Sequence, residues 1–274
     1  MNKSAFITMD VESFFDTSCI KKHGINPDEK YDCAEEIDKF IDFLNAQNIK
    51  ATFFVTASFL SRCKDFLKKA IMNNHEIALH CLNHEPVTSK TVTQFEIELK
   101  KAKSIIENEL NIEIKGFRFP CFEYNNEYFE IIKNNGFLYD SSMVGKQLEN
   151  ASILNDSVSY DGQIYEFSLA STKLLFFNAN LSGGGYLRLV PWNIGHAKIK
   201  KYIKSHNAFV LYFHPFEIHE GNLPKYKELN IFEKLYVKRG RDSYLNKISQ
   251  VIEELKNEGF DFYTMSEYIK RNIV

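Results

Sequence analysis

Compact runs of apolar residues alternate along this chain with segments in which apolar residues recur at helical spacing. The runs Ala51–Val55 and Ala208–Phe213 are rich in aromatic and β-branched side chains, which predicts buried strands. Between such runs, apolar residues return every three or four positions, which predicts amphipathic helices. The predicted helices cover 33–48, 92–110, 126–134, 195–205 and 244–257, with a further helix around 66–71 and a short one at the end.

Short connectors join these strands and helices in alternation, a pattern typical of a parallel α/β sheet. Further strands are predicted over 3–9, 76–79, 137–140 and 260–263. The stretch 141–190 interrupts the alternation and carries two strand candidates, 163–168 and 173–177, so we interpret it as a partly irregular, partly β insertion. About two dozen residues after Pro215 are interpreted as a polar loop. The prediction is an α/β fold with a single domain over 1–274.

Composition and net charge limit the classes of partner that the protein is expected to bind. The 274 residues include 24 Phe and 14 Tyr, enough for a large core, and the net charge of −2 favours neither nucleic acid nor an anionic membrane surface. No stretch approaches the roughly 18 apolar residues of a membrane span, which predicts no membrane insertion. Five scattered cysteines without CxxC spacing and a start without a signal-peptide core predict a cytoplasmic protein.

Two short stretches carry the clearest candidate chemistry. Asp10 and Glu12 follow the first predicted strand two residues apart, and residues at that spacing in an extended chain project to the same side. His80 and His84 follow another strand, four residues apart. One carboxylate and two imidazoles form a common open coordination set for a catalytic divalent metal, and the second carboxylate is then free to act as a base.

Three more polar residues stand where predicted strands end: Arg118, Asp140 and His214. Each alone is more often a structural residue than a functional one. A parallel barrel, however, places its reactive groups at the carboxyl ends of its strands. Their coincidence with the acid pair and the histidine pair therefore favours a common site.

Taken in order, these motifs resemble those of the polysaccharide deacetylase superfamily, also called the NodB-homology or carbohydrate esterase family 4 fold. The matching stretches are 8–12, the pair His80 and His84, 118–120, 140–142 and 211–215, together with the strand 51–55. The glycine-rich stretch 182–188 is similar to one found in members linked to bacterial exopolysaccharide synthesis. The resemblance covers nearly the whole chain and implies a distorted (β/α)7-type barrel.

The resemblance also implies roles. Glu12, His80 and His84 would hold one divalent metal, with zinc expected and cobalt, nickel, iron or manganese as alternatives. Asp10 would be the general base, oriented and kept ionised by Arg118. His214 would be the general acid that protonates the leaving amine, tuned by Asp140.

A second group of residues is expected to contact substrate: Pro120, Cys121, Tyr124, Tyr186 and Arg188. Aromatic faces and arginine forks suit sugar rings and anionic substituents. The chain departs from the family in two places, since Val11 separates two acids that are usually adjacent and Cys121 stands where an aromatic residue is frequent. We reject Cys121 as a nucleophile because no activating base lies near it in the sequence.

The predicted activity is metal-dependent removal of an N-acetyl group from a sugar or glycan intermediate in surface polysaccharide or glycoconjugate synthesis. The substrate would be an N-acylated sugar, an oligosaccharide, or a nucleotide- or lipid-linked sugar. A deformylase or an allantoinase-like hydrolase on the same fold is an alternative, because one methyl group changes recognition by only about 1–3 kcal/mol. A non-catalytic carbohydrate-binding protein that retains the barrel is an alternative of another class. The oligomeric state is left open.

Overall fold

The computed structural model describes residues 3–174 and 177–272. The strands are β1 (Lys3–Val11), β2 (Ala51–Val55), β3 (Glu76–Leu79), β4 (Gly116–Phe117), β5 (Tyr139–Asp140), β6 (Ser152–Ile153), β7 (Val158–Tyr160), β8 (Tyr165–Phe167), β9 (Ser171–Leu174), β10 (Phe177–Asn180), β11 (Ala208–Phe213) and β12 (Phe260–Phe262). The helices are α1 (Ser18–Lys21), α2 (Glu35–Ala46), α3 (Leu60–Met72), α4 (Val92–Leu110), α5 (Asn126–Asn134), α6 (Gly185–Leu189), α7 (Trp192–Ser205), α8 (Ile231–Lys238), α9 (Tyr244–Asn257) and α10 (Met265–Asn272).

Ten strands of the described chain form one curled sheet in the order β11-β1-β2-β3-β4-β5-β8-β7-β6, with β12 also pairing with β1. The strands from β11 to β8 run parallel, so their carboxyl ends meet at one rim. This arrangement confirms the predicted α/β barrel-type fold. None of the helices in the described ranges is long and apolar enough to cross a bilayer.

Strand β1 shows how the sheet orients the acid pair. Ala5, Ile7, Met9 and Val11 face the main core, which lies between the sheet and its helices. Phe6 faces the opposite, inner side, where it packs against a second cluster. Because side chains alternate along a strand, Asp10 continues the inner row, and both it and Glu12 reach the rim of the barrel interior.

The stretch 141–190 is β-rich, as its pattern predicts. Strands β6, β7 and β8 are antiparallel neighbours, and β9 pairs with β10 as a separate two-stranded sheet. The predicted strand over 163–168 corresponds to β8. The predicted strand over 173–177 falls partly on residues 175–176, which lie outside the described residues.

The prediction of a polar loop after Pro215 is wrong in its second half, because residues 231–238 form helix α8. Its start is marked by Asn230, whose side chain accepts from the backbone of Glu233 at 3.0 Å, while the Glu233 carboxylate accepts from the Asn230 backbone at 2.8 Å. This reciprocal cap is a recognisable helix signal. With only eight residues, the helix carries too few apolar repeats for periodicity to reveal it.

The glycine run after β10 lies against β11. Gly183 has φ 145°, and a Cβ atom there would sit 1.9 Å from the carbonyl oxygen of Tyr212. The backbone of Tyr212 donates to Ser182 at 2.9 Å and accepts from Gly184 at 3.0 Å. The run therefore extends the pairing of β11 one strand further, close to the point where β11 delivers His214.

Candidate active site

The carboxyl ends of β1, β3 and β11 open into one cavity of about 740 Å³. Asp10 lies on β1, while Glu12, His80 and His214 follow β1, β3 and β11. All four line the cavity, together with Thr17, Ser18, Cys19, His84, Phe119, Cys121, Phe122, Leu189, Phe216, Phe232, Glu233, Leu235, Tyr236 and Arg239. The fold thus brings distant stretches of the chain to one site.

Glu12, His80 and His84 form a buried cluster whose ligand atoms all lie within 4.8 Å of one another. Nδ1 of His80 lies 2.8 Å from the carbonyl oxygen of Arg118, and Nδ1 of His84 lies 3.1 Å from that of Asp16. A carbonyl only accepts, so each Nδ1 carries a proton and donates it, and each Nε2 presents a lone pair to the cluster.

The residues present fit a divalent cation. Nε2 of His84 lies 2.8 Å from Oε2 of Glu12, and two facing lone pairs at that distance require a positive charge between or on them. Among the described residues, Nε2 of His80 is buried without a hydrogen-bond partner. Burial lowers the pKa of His80 to about 4, so this imidazole is neutral at pH 7, as a metal ligand must be. Two imidazoles and a carboxylate suit zinc and its neighbours in the first transition row.

Asp10 is bound by a fully buried arginine. Nη1 of Arg118 donates to Oδ1 of Asp10 at 2.6 Å and to Oγ1 of Thr8 at 3.0 Å. The guanidinium also donates to the carbonyl and hydroxyl oxygens of Ser141 at 2.8 and 2.7 Å, and it lies 4.0 Å from the centre of the Phe54 ring. Burial opposes ionisation of Asp10, yet Arg118 and the neighbouring histidines lower its pKa, so the carboxylate is charged at neutral pH.

His214 faces the acid pair. Its Nε2 lies 3.9 Å from Oδ2 of Asp10 and 3.8 Å from Oε1 of Glu12. Its Nδ1 donates to Oε2 of Glu217 at 3.0 Å. Burial disfavours the imidazolium, but Glu12 and Glu217 raise the pKa of His214 to about 9, so the ring is protonated at neutral pH.

The expected partner of His214 was Asp140, and the structure corrects this. Asp140 accepts from the backbone and hydroxyl of Ser142 at 3.0 and 2.9 Å, and burial raises its pKa to about 6 beside the carboxyl of Glu166. Glu217 takes the place beside the imidazole. A signal was present in the sequence, since an acid three residues after His214 suits the first turn of a helix and brings it back to that residue.

Glu217 is itself held by Arg188, one of the residues expected to contact sugar. Nε of Arg188 donates to Oε1 of Glu217 at 2.7 Å, and both side chains are fully buried. Nη1 of Arg188 donates to the carbonyl oxygens of Tyr236 and Arg239 at 2.7 and 2.9 Å. Arg188 therefore faces the interior and positions Glu217, and the expectation that it faces substrate is corrected.

The other residues expected to contact substrate fall into two groups, one at the cavity and one away from it. Cys121 lines the cavity with φ 58°, and Pro120 is buried at the start of the same turn. Tyr124 instead stacks on Phe119 at 5.4 Å and lines a separate cavity of about 600 Å³. Tyr186 is buried in the main core, because its helix packs against α7 and α9. These two tyrosines are thus placed away from the candidate site.

Cys121 has no structural feature of a nucleophile. Its Sγ lies 3.6 Å from the hydroxyl of Ser18, and burial raises the pKa of the thiol. A thiol that stays protonated at neutral pH is a weak nucleophile. The structure agrees with its rejection from sequence.

Two family models match successive parts of the chain. The model described as polysaccharide deacetylase matches residues 20–139, and a domain of unknown function, DUF3473, matches residues 146–270. The chain thus contains a polysaccharide deacetylase domain, followed by the DUF3473 match. His80, His84 and Arg118 fall within the first match, His214 and Glu217 fall within the second, and Asp10 and Glu12 precede both.

Curated relatives share limited stretches with this chain. Chitin deacetylase 1 of Cryptococcus neoformans is 32% identical over 80 residues, which cover 29% of this chain and 17% of that protein. Peptidoglycan deacetylase of Helicobacter pylori is 24% identical over 108 residues, which cover 39% of this chain and 37% of that protein. The matched stretches thus span well under half of these relatives.

Solved structures extend the likeness to the whole fold. The Xyl-CE4 domain of a xylanase from the hindgut metagenome of Trinervitermes trinervoides has a TM-score of 0.58 and 16% identity, covering 100% of this chain and 93% of that one. PuuE allantoinase has a TM-score of 0.64 and 12% identity, covering 99% and 91%. A CE4 family pseudoenzyme from Bacillus anthracis has a TM-score of 0.55 and 13% identity, covering 97% and 65%. At these identities the likeness establishes the fold alone.

Proposed function

We propose that this protein is a metal-dependent hydrolase that removes an N-acetyl group from a sugar or glycan intermediate in surface polysaccharide or glycoconjugate synthesis. One observation carries the proposal: a charged carboxylate, Asp10, and a protonated imidazole, His214, face each other across a cavity that also contains a fitting set of metal ligands. Hydrolysis of an amide needs a base for water and an acid for the amine. Asp10 and His214 suit these two roles, because Arg118 lowers the pKa of Asp10 while the carboxylates of Glu12 and Glu217 raise that of His214.

Glu12, His80 and His84 would hold the metal. A divalent cation in such a set makes water more acidic and polarises the acyl carbonyl. The expected ion is zinc, with cobalt, nickel, iron or manganese as alternatives. The neutral state of His80 and the paired Nδ1 atoms of both histidines support this assignment.

The side chains would divide the proton transfers as follows. Asp10 accepts a proton from water as the water oxygen bonds to the acyl carbon and an electron pair moves to the carbonyl oxygen. That pair returns as the C–N bond breaks, and His214 donates its Nε2 proton to the departing nitrogen. Acetic acid and the free amine leave, the acid then ionises to acetate in solvent, and the proton on Asp10 returns to His214, which restores both side chains. Arg118 keeps Asp10 ionised and Glu217 keeps the His214 ring oriented.

The test is acetate and amine release by the metal-loaded protein from N-acetylated sugars, beside their N-formyl analogues. We expect Asp10→Asn to retain metal and lose turnover, and Cys121→Ser to retain both, since no covalent thioester forms. Formate release in preference to acetate would favour the deformylase alternative. No release of either acid by the metal-loaded wild type would leave the binding-protein alternative. The cytoplasmic location expected from the cysteines stays a prediction.

A further inference from the structure

Helix α8 presents an apolar stripe to solvent beside the candidate active site. Three of the eight large apolar side chains exposed in the described ranges lie here: Ile231, Phe232 and Leu235, which are 65%, 78% and 50% exposed. We call these three residues the α8 stripe. Exposing three such side chains on two turns of one helix is costly for a surface that contacts only water.

The opposite side of the helix is anchored, so the stripe is held outward. Glu233 is buried and pairs with Lys22 and with Nε2 of His23, the latter at 3.1 Å. Val237 is buried in a cluster with Phe14 and Phe216. The exposure of the stripe therefore follows from a fixed helix orientation and not from an unattached segment.

The stripe is continuous with the cavity that contains Asp10 and His214. Phe232 and Leu235 line that cavity together with Tyr236 of the same helix. Ile231 is one helical turn from Leu235, so the apolar surface leaves the cavity and continues along the outside of α8. A cavity that served a small, fully polar sugar would have no need of an apolar exit.

Cations accompany the stripe. Lys234 and Lys238 flank the stripe on the side of α8 away from this cavity, where both line a separate cavity of about 600 Å³. Arg239 lines the cavity, and its guanidinium forms no ion pair among the residues the structure describes. Glu233, the acid at this end of the cavity, already pairs with Lys22. The exit from the cavity is thus apolar, with Arg239 as the cation that lines it.

We infer that the substrate is a lipid-linked sugar, in which an anionic phosphate linkage meets Arg239 and an apolar chain lies along the α8 stripe. This inference rests on the proposed function, since the acyl group of the sugar would lie beside Asp10 and His214. Phe232 and Leu235 then determine specificity for the chain without touching the reacting atoms. An amphiphilic substrate accounts for three features at once. These are the exposed apolar side chains, their continuity with the cavity and the cation at its exit.

The experiment compares two probes that differ only in the apolar chain: N-acetylglucosaminyl farnesyl diphosphate and N-acetylglucosaminyl methyl diphosphate, both used below micelle-forming concentration. The kcat/KM of the metal-loaded full chain is measured for each. Binding of the corresponding deacetylated probes, which cannot turn over, is measured by calorimetry. The variants are Phe232→Ser with Leu235→Ser, and Ile97→Ser as a control, since Ile97 is 62% exposed on α4 and does not line the cavity.

We expect the wild type to prefer the farnesyl probe by roughly tenfold or more in kcat/KM and in affinity. The double variant should lose about tenfold on the farnesyl probe, while the methyl probe changes less than twofold and Ile97→Ser changes neither. Arg239→Gln should weaken binding of both probes. Equal use of the two probes by the wild type, or equal losses on both in the double variant, would overturn the inference.

Further outcomes distinguish this inference from the proposed function and from other roles of the α8 stripe. If neither probe releases acetate but farnesyl binding remains stronger and stripe-dependent, the proposed function fails and the lipid-chain site stands. If the wild type instead self-associates in sedimentation velocity and the double variant does not, the stripe is an interface between copies and the inference fails. It fails equally if the stripe drives binding to sugar-free phospholipid vesicles and gives no preference between the probes.

Discussion

Nδ1 of His214 donates to Oε2 of Glu217 at 3.0 Å, and the backbone N–H of His214 donates to the same oxygen at 3.1 Å. The two contacts fix the ring so that Nε2 faces Asp10 and Glu12. Because a buried arginine neutralises the second oxygen of Glu217, the carboxylate remains charged without solvent. This pair, and not one with Asp140, sets the state of the proposed general acid.

The first prediction concerns that pair. Glu217→Gln removes the negative charge beside the imidazole, so kcat should fall about a hundredfold while KM and metal content change little. Steady-state kinetics and metal analysis provide the measurements. Glu36→Gln is the matched control, because Glu36 pairs with His219 at 2.9 Å outside the cavity. A Glu217→Gln enzyme with kcat within threefold of wild type would remove Glu217 from the mechanism.

The second prediction concerns stability. Arg188→Met removes the buried cation that pairs with Oε1 of Glu217 and leaves this carboxylate with His214 alone, which should lower the free energy of unfolding by about 3–5 kcal/mol. Adding Glu217→Gln removes that charge, so the double variant should be more stable than Arg188→Met alone. Arg62→Met is the control, since Arg62 is 40% exposed in its pair with Asp32 and should cost under about 1 kcal/mol. If the losses of unfolding free energy from Arg188→Met and Glu217→Gln simply add in the double variant, as measured by urea unfolding, the two side chains are not a coupled buried pair.

The third prediction concerns the metal. Purified protein should contain about one divalent ion per chain, and removal by chelation should lower the melting temperature. His80→Ala and Glu12→Gln should each abolish binding, since each removes one of three ligands. His75→Asn should bind normally, because His75 is buried elsewhere against Phe53. A wild type that neither contains metal nor gains melting temperature with zinc or cobalt would exclude the site.

The fourth prediction concerns acid stability. Nδ1 of His75 accepts the backbone N–H of Ala51 at 3.1 Å, and burial lowers the pKa of His75 to about 4 from 6.5. The unfolded chain therefore binds a proton that the folded chain does not, and stability should fall as pH drops from about 6.5 towards 4. The slope from this group is at most about 1.4 kcal/mol per pH unit.

His75→Asn tests the effect, because an amide keeps an acceptor for Ala51 and does not titrate. Urea unfolding at pH 7 and pH 4.5 should show a smaller loss for the variant than for wild type. Identical losses would mean that His75 does not contribute to the acid sensitivity.

The fifth prediction concerns the glycine run. Gly183→Ala should lower the free energy of unfolding by about 3 kcal/mol, because the new Cβ would collide with the backbone of Tyr212 at an unfavourable φ. Gly136→Ala also sits at positive φ, 75°, but meets no atom within 4 Å, so it should cost only about 1 kcal/mol. Equal losses in the two variants would show that close approach to β11 is unimportant.

The local pattern was sufficient for the framework of the fold. The bounds of α4, α5 and α9 agree with the periodicity, and the acid pair on β1 faces inward because alternation along a strand is a local property. Parallel strands align their carboxyl ends, so Asp10, His80, Arg118 and His214 could be expected at one rim before any contact was known. The family resemblance could also be recognised from the sequence, because each motif is a short stretch of neighbouring residues.

Contacts between distant parts of the chain could not be derived in this way. Arg188 and Glu217 are 29 residues apart, and no pattern in either stretch shows that they meet in the interior. The burial of Tyr186 and the outward face of α8 likewise depend on which helix packs against which surface. Spacing along the chain therefore determined which side chains lie at the rim, whereas long-range packing decided which of them touch, which charges are neutralised and which apolar side chains stay in water.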